Sequence, residues 1–112
     1  MNWIAILAAL SGALAVGAGA FGAHGATGPA AEWLKTGGQY QLIHAVAALV
    51  ALKMAARGPA LCFLIGGLVF AGSLYLMALG APRWFGAITP LGGLALIAGW
   101  LWLAWSLARG SV

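Results

Sequence analysis

The chain is organised as four long apolar runs separated by short segments that hold nearly all of its charged residues. The runs cover residues 2–23, 39–56, 60–80 and 87–108. A helix crosses a bilayer with about 20 mainly apolar residues, whereas a membrane strand alternates apolar and polar residues over about 10 positions. The continuous runs therefore predict an all-α fold, an integral membrane four-helix bundle that forms one transmembrane domain over residues 1–112.

Proline and glycine mark the breaks between the later runs. Gly58-Pro59 separates the second run from the third, and Gly80-Ala81-Pro82 ends the third. Proline disfavours helical geometry in the residue before it. Both links are short, which predicts that neighbouring spans are antiparallel.

The first connection is longer and predicts a short interfacial helix between spans 1 and 2. Thr27-Gly28-Pro29 is typical of a helix start, and Gly37-Gly38 is typical of a helix end. Trp33 suits the headgroup region, and the three-residue spacing of Glu32 and Lys35 allows them to pair. An ordered loop is the alternative interpretation.

The first run also invites comparison with a cleaved signal peptide, because Ala18-Gly19-Ala20 resembles a processing site after an apolar core. Met1-Asn2-Trp3 contains no Lys or Arg, however, and the run is long for such a core. We therefore expect a retained membrane helix.

Composition and charge support a protein embedded in the lipid bilayer. Hydrophobic residues make up 64% of the chain and charged residues 5%, which leaves no stretch for a water-soluble domain or a basic nucleic-acid-binding domain. Lys53, Arg57 and Arg109 would lie on one membrane face, and Lys35 and Arg83 on the other. The excess on the first face predicts that both termini are cytoplasmic.

Small residues recur at four-residue spacing inside the runs and predict faces where helices pack closely. These helix-packing residues are Ser11, Gly12, Ala15 and Gly19 in the first span, Gly67 and Ala71 in the third, and Gly92, Gly93, Ala95 and Gly99 in the fourth. Two functional alternatives remain. The glycines could act as hinges for transport motion, and the fourth helix could be broken near Thr89-Pro90 to line a binding site.

Polar residues of the spans gather toward one leaflet in this topology. They are His24, Gln39, Tyr40, Gln41, His44, Ser73, Tyr75 and Thr89. Such side chains need partners in hydrocarbon, so we expect a network with His44 and Tyr40 facing the bundle interior. The first interpretation is structural, with hydrogen bonds that join helices. The alternative is a cavity in which His44 binds a ligand or relays a proton. Two histidines also admit haem ligation or a quinone pocket, although nothing else supports a haem.

Side chains for catalysis or metal binding are scarce. Glu32 is the single side-chain carboxylate and Cys62 the single cysteine, and neither stands in a motif with a base or further ligands. We expect no catalytic residue, no metal site and no cofactor, and therefore no enzyme.

Four motifs in order carry a family resemblance over almost the full chain. They are residues 19–25 (GAFGAHG), 33–45 (WLKTGGQYQLIHA), 72–75 (GSLY) with 78–79 (AL), and 88–93 (ITPLGG) with Gly99-Trp100. The chain resembles the family labelled domain of unknown function 423, which includes bacterial YgdD-like proteins and the eukaryotic transmembrane protein 256. The resemblance implies a small multi-pass membrane protein, in bacteria of the inner membrane, and implies no activity.

These observations favour a structural or accessory role. A compact bundle with short loops and glycine-lined faces suits self-association or docking on a larger membrane complex. The alternative is an oligomeric transporter or channel for a small solute, with a polar pocket formed around His44 by Gln41 and Tyr75.

Overall fold

The computed structural model describes residues 2–112 and is entirely helical over that range. Its elements are α1 (Trp3–His24), α2 (Gly28–Lys53), α3 (Arg57–Ala78), a 3₁₀ helix (Arg83–Ala87) and α4 (Thr89–Ala108). The predicted all-α class is confirmed.

Three stretches in residues 2–112 are long and apolar enough to cross a membrane: Trp3–His24, Arg57–Ala78 and Arg83–Ala108. The remaining helix, α2, is long enough at 26 residues. It is less apolar because Gln39, Gln41 and His44 lie in its central part. Length and composition therefore identify three of the four predicted spans.

No separate interfacial helix precedes the second span within the described chain, which corrects the prediction for residues 30–36. The structure has one continuous helix from Gly28 to Lys53. Gly37 and Gly38 do not end a helix. Both are buried, and Gly38 lies where α2 crosses α1 so closely that a side chain has no room. The Glu32–Lys35 pair, with N–O distance 3.1 Å, lies in the exposed first part of α2.

The break between the second and third spans lies before the predicted one. Residues 54–56 form the link, and Ala55 adopts a positive φ of 59° that lets the chain reverse. Gly58 and Pro59 lie in the first turn of α3. Proline is tolerated there because the first amides of a helix have no intrahelical acceptor.

The helices alternate in direction, as the short links predict. Arg57 at the start of α3 stacks on Trp3 at the start of α1, with its guanidinium 5.7 Å from the ring centroid. At the opposite end, Arg83 stacks on Trp33 of α2 at 5.8 Å. The start of α1, the α2–α3 link and the end of α4 therefore share one end of the molecule.

The helices do not form a closed square. Each packs mainly on the next in the chain, α1 also touches α3, and α4 packs on α3 and the 3₁₀ helix. Among the described residues α4 forms no extended contact with either α1 or α2. The molecule measures 46 × 27 × 20 Å. This arrangement leaves a cleft between α2 and α4, with α3 at its floor.

Small side chains fill the core at the end that holds the α2–α3 link. The buried cluster there consists of Ala8, Ala47, Ala48, Ala51, Ala56, Ala60, Phe63 and Leu103. Alanine keeps helix backbones close, which in lipid favours packing by dispersion forces. Phe63 is 1% exposed and is the one large side chain among the alanines of α2 and α3.

The closest helix approaches occur at Gly38 and Gly92. A Cβ on Gly38 would lie 2.8 Å from the Ala15 carbonyl oxygen and 3.0 Å from the Gly19 nitrogen. A Cβ on Gly92 would lie 2.7 Å from the Phe70 Cα. Both neighbours are backbone atoms, so neither position accepts a side chain without moving a helix.

The other predicted packing residues differ in how closely they are packed. Ser11 and Ala71 are buried, and a Cβ on Gly99 would lie 2.8 Å from the Phe63 ring and 2.9 Å from the Cys62 Cβ, which are side-chain atoms. Ala95 packs against Gly66. A methyl group would fit at three positions, with nearest atoms at 3.8 Å or more: Gly12, Gly67 and Gly93.

We predict that Gly38→Ala lowers the free energy of unfolding by about 1–3 kcal/mol, because the new methyl group meets backbone on the facing helix. Gly17→Ala is the matched control, since a Cβ at Gly17 meets no described atom within 4 Å. Reversible unfolding in mixed micelles, followed by circular dichroism, measures both variants. Equal stability of the two variants would contradict this account of the α1–α2 contact.

Candidate functional site

Gln41 joins three helices through its side-chain amide. Its Nε2 donates to the Ser11 hydroxyl of α1 at 2.8 Å, and its Oε1 accepts from the Tyr75 hydroxyl of α3 at 2.6 Å. Gln41 is 1% exposed. Because amides are costly to bury without partners, these two bonds fix how α1 and α3 sit against α2.

His44 connects α2 to α4. The indole Nε1 of Trp100 donates to His44 Nε2 at 3.0 Å, and His44 Nδ1 lies 2.7 Å from the Tyr40 carbonyl oxygen. An indole nitrogen only donates, so Nε2 is the acceptor and Nδ1 carries the proton that it donates to Tyr40. The imidazole is therefore neutral in this arrangement, and both of its nitrogens are engaged.

Aromatic rings surround His44. The ring of Tyr40 is within 6° of parallel to the imidazole, with centroids 6.3 Å apart. Phe63 lies 4.6 Å from Trp100, and Phe70 lies 4.9 Å from Tyr40, between ring centroids. These rings form the inner part of the α2–α4 cleft, which has a volume of about 370 Å³ and is lined by Tyr40, His44, Phe70, Gly93, Leu96, Ile97 and Trp100.

A third polar link joins α3 to the start of α4. The Ser73 hydroxyl donates to the Phe70 carbonyl oxygen at 2.9 Å and lies 2.5 Å from the Thr89 hydroxyl. Since Ser73 has one proton, Thr89 donates in the second bond. The side chain of Thr89 thus bonds Ser73 and does not cap α4, and the helix runs unbroken through Gly92 and Gly93.

The eight polar residues predicted as one cluster lie in separate environments. Gln41 and Tyr75 meet in the first link, Tyr40 and His44 meet in the second, and Ser73 and Thr89 meet in the third. His24 and Gln39 are exposed and join none of the side-chain links found in residues 2–112. Tyr40 is 45% exposed, so its ring borders the cleft while His44 lies inside.

Sequence reasoning missed two partners in these links. Ser11 stands among the small packing residues in the sequence pattern, although a hydroxyl deep in an apolar run indicates a buried acceptor. Trp100 enters the sequence analysis only through a family motif. Its position nine residues before Arg109 places it about 13 Å deeper than the charged end of α4, at a rise of 1.5 Å per residue. An interfacial tryptophan lies nearer the charges.

Each buried polar side-chain atom in these links has a hydrogen-bond partner within the chain. In the part of the chain that the structure describes, no buried side-chain nitrogen or oxygen lacks a partner. Those same residues contain no group of three or more His, Cys, Asp or Glu placed to share a metal ion. The arrangement holds four helices together by side-chain bonds, and every buried bond in it is made within the chain.

Long apolar helices joined by internal polar links define a helical membrane protein. The chain belongs to the family described as "Protein of unknown function (DUF423)", whose profile matches residues 18–93. The matched range contains α2 and α3 complete, together with Gln41, His44, Ser73, Tyr75 and Thr89.

Relatives cover nearly the whole chain. The UPF0382 membrane protein of Haemophilus influenzae is 40% identical over 94% of this chain and 90% of its own length. The UPF0382 membrane protein YwdK of Bacillus subtilis is 40% identical over 90% and 92% of the two chains. The UPF0382 inner membrane protein YgdD of Escherichia coli K12 is 38% identical over 88% and 84%. No solved structure matches the chain.

We predict that Gln41→Leu destabilises the protein by about 1–2 kcal/mol, because it removes two interhelical bonds and leaves the Ser11 and Tyr75 hydroxyls without their partner. Gln39→Leu is the control, since Gln39 is exposed two residues away on the same helix. Unfolding in mixed micelles compares them. The link assignment fails if the two substitutions cost the same.

We predict that nitrogen-15 spectra of histidine-labelled protein show His44 protonated at Nδ1 and unprotonated at Nε2. Trp100→Phe keeps an aromatic ring beside Phe63 but removes the indole donor, and we expect it to move the Nε2 resonance while the bond to the Tyr40 carbonyl keeps the proton on Nδ1. His24, which is exposed, serves as the internal reference. An Nε2-protonated His44 in the unmodified protein would contradict the Trp100 bond.

Proposed function

We propose that the protein is a non-catalytic structural subunit of a membrane assembly, with α2 as a fourth span. The packing of α2 supports the crossing, because it contacts α1 and α3 extensively on either side. Two polar side chains in the central part of α2, Gln41 and His44, are buried against protein and do not face lipid. The name of the Escherichia coli relative supports placement in a bacterial inner membrane.

The charges at the two ends support cytoplasmic termini. Lys53, Arg57 and Arg109 belong to the end that holds the α2–α3 link and the end of α4. Lys35 and Arg83 belong to the other end. The excess of Lys and Arg, three against two, favours the first end as the cytoplasmic one.

The main support for a structural role is the way in which α4 attaches to the other helices. This helix buries one narrow row of residues against α3: Gly92, Leu96, Gly99, Leu103 and Ser106. Bulky side chains cover its other faces, with Leu94, Ile97 and Leu101 each more than half exposed. One described hydrogen bond, Trp100 to His44, spans the cleft to α2. The exposed apolar side chains of α4 beside the cleft suit packing against a helix from a second copy or from a partner subunit.

The bonding of the polar residues argues for this role over transport. A solute pathway needs polar groups that exchange protein partners for solute. Here the amide of Gln41 and both nitrogens of His44 are bonded within the chain, and the cleft beside them has mostly apolar walls. The polar groups are arranged as joints between helices.

The test is photocrosslinking in intact membranes, with benzoylphenylalanine placed at Ile97 in the cleft or at Leu14 on the far side of α1. Both positions are similarly exposed, at 57% and 54%. We expect Ile97 to give a discrete protein adduct, either a dimer or a partner identified by mass spectrometry, and Leu14 to give lipid adducts. Lipid adducts at both positions would overturn the docking role.

A flux assay separates this role from the transport alternative. We expect His44→Ala to lower stability in detergent, because it removes the α2–α4 bond, and to leave proton and small-solute flux across proteoliposomes at the level of the unmodified protein. Gln39→Leu is again the control. A change in flux at unchanged stability would favour the transporter.

A further inference from the structure

The end of the molecule that holds the α2–α3 link carries positive charge without side-chain carboxylates. Glu32, the one acidic side chain of the sequence, lies at the other end and pairs with Lys35. Two of the cations at the link end stack on indole rings: Arg57 on Trp3 and Arg109 on Trp105. Lys53 takes part in no ion pair or ring stack among residues 2–112.

Lys53 borders a groove between the start of α1 and the end of α2. The groove has a volume of about 460 Å³ and is lined by Asn2, Ala5, Leu49, Leu52 and Lys53. Its walls are the apolar side chains, and its outer end holds Lys53 and Asn2. The groove is on the α1–α2 side of the molecule, away from the α2–α4 cleft.

Both polar groups at the outer end of the groove are donors. The side-chain oxygen of Asn2 accepts from the Ala5 amide at 3.2 Å and caps α1, which leaves the NH₂ of Asn2 as the group that donates at the groove. The carbonyls of Val50, Ala51 and Leu52 accept from the amides of residues 54–56. Three of the last four carbonyls of α2 are therefore already bonded within the chain.

We propose that this groove binds an anionic phospholipid, with the phosphate at Lys53 and Asn2 and an acyl chain along Ala5, Leu49 and Leu52. The match is one of charge and polarity: a donor-only end suits a phosphodiester, and apolar walls suit a hydrocarbon chain. The proposal rests on the crossing of α2, because Lys53 lies at headgroup level only in a four-span protein. A zwitterionic lipid would bring its own cation to Lys53.

The experiment is native mass spectrometry of the full-length protein, released from nanodiscs that contain equal amounts of dioleoylphosphatidylglycerol and dioleoylphosphatidylcholine. We expect the protein to retain phosphatidylglycerol preferentially, and Lys53→Gln to lower the ratio of bound phosphatidylglycerol to phosphatidylcholine about fivefold. Ala5→Leu, which narrows the groove and keeps the charge, should reduce retention of both lipids.

Two controls separate a built site from general attraction of anionic lipid. Arg109→Gln removes the same charge at the same end, outside the groove, and Lys35→Gln removes a paired charge at the other end. We expect both to keep the lipid ratio of the unmodified protein. Equal losses for Lys53→Gln and Arg109→Gln would overturn the site, as would equal retention of the two lipids by the unmodified protein.

A final experiment tests whether the groove binds a whole phospholipid or only a phosphate group. Glycerol phosphate and inorganic phosphate, added to protein in neutral detergent, should not raise its thermal stability, whereas short-chain phosphatidylglycerol should. Stabilisation by inorganic phosphate alone would overturn the lipid as the occupant. Crosslinking at Ile97 does not involve this groove, so the docking role and the lipid site succeed or fail separately.

Discussion

A primary amide in hydrocarbon needs hydrogen-bond partners from the protein, and the position of Gln41 imposes that constraint on three helices. Its bonds to Ser11 and Tyr75 are short, and it is 1% exposed. If α1 slid or rotated against α2, the Gln41 amide would lose a hydrogen-bond partner in lipid. The free-energy cost of that loss is larger than the cost of exchanging one apolar contact for another. Lipid and leucine are almost equally apolar, so dispersion packing alone fixes helix position weakly. The amide supplies the specificity that apolar side chains do not.

Close backbone approach makes these short bonds possible. Gly38 lies one turn before Gln41 and rests against the backbone of Ala15 and Gly19, which brings α1 near enough for a serine hydroxyl to be reached. The same polar and small residues make α2 less apolar than its neighbours. The helix that carries these joints is therefore the one that length and composition do not identify as a span, and it lies between α1 and α3.

Sequence patterns predict most of the helices and their alternating direction, because the length of an apolar run and the length of a link are both set by neighbouring residues in the chain. They failed where one residue type serves two purposes. Gly37-Gly38 reads equally as a helix end or a packing site, and only the approach of α1 decides between them. Polarity selected Gln41, His44 and Tyr75, but pairing depends on helix rotation, which the sequence does not state. Trp100 is hard to predict for a related reason: tryptophan usually marks the interface, whereas this one, although 45% exposed, donates to the buried His44.

The open cleft beside α4 is a physically reasonable state for a membrane protein. In water an exposed apolar wall of this size would drive closure, but acyl chains solvate it in a bilayer. Stability of the chain alone therefore does not require that α4 meet α2. The one bond across the cleft uses Nε2 of His44, and the Tyr40 carbonyl occupies Nδ1, so the imidazole has no nitrogen left for an arriving group. Whatever enters the cleft meets aromatic faces and Leu96 or Ile97, and shape complementarity to these walls, more than polar recognition, decides what stays.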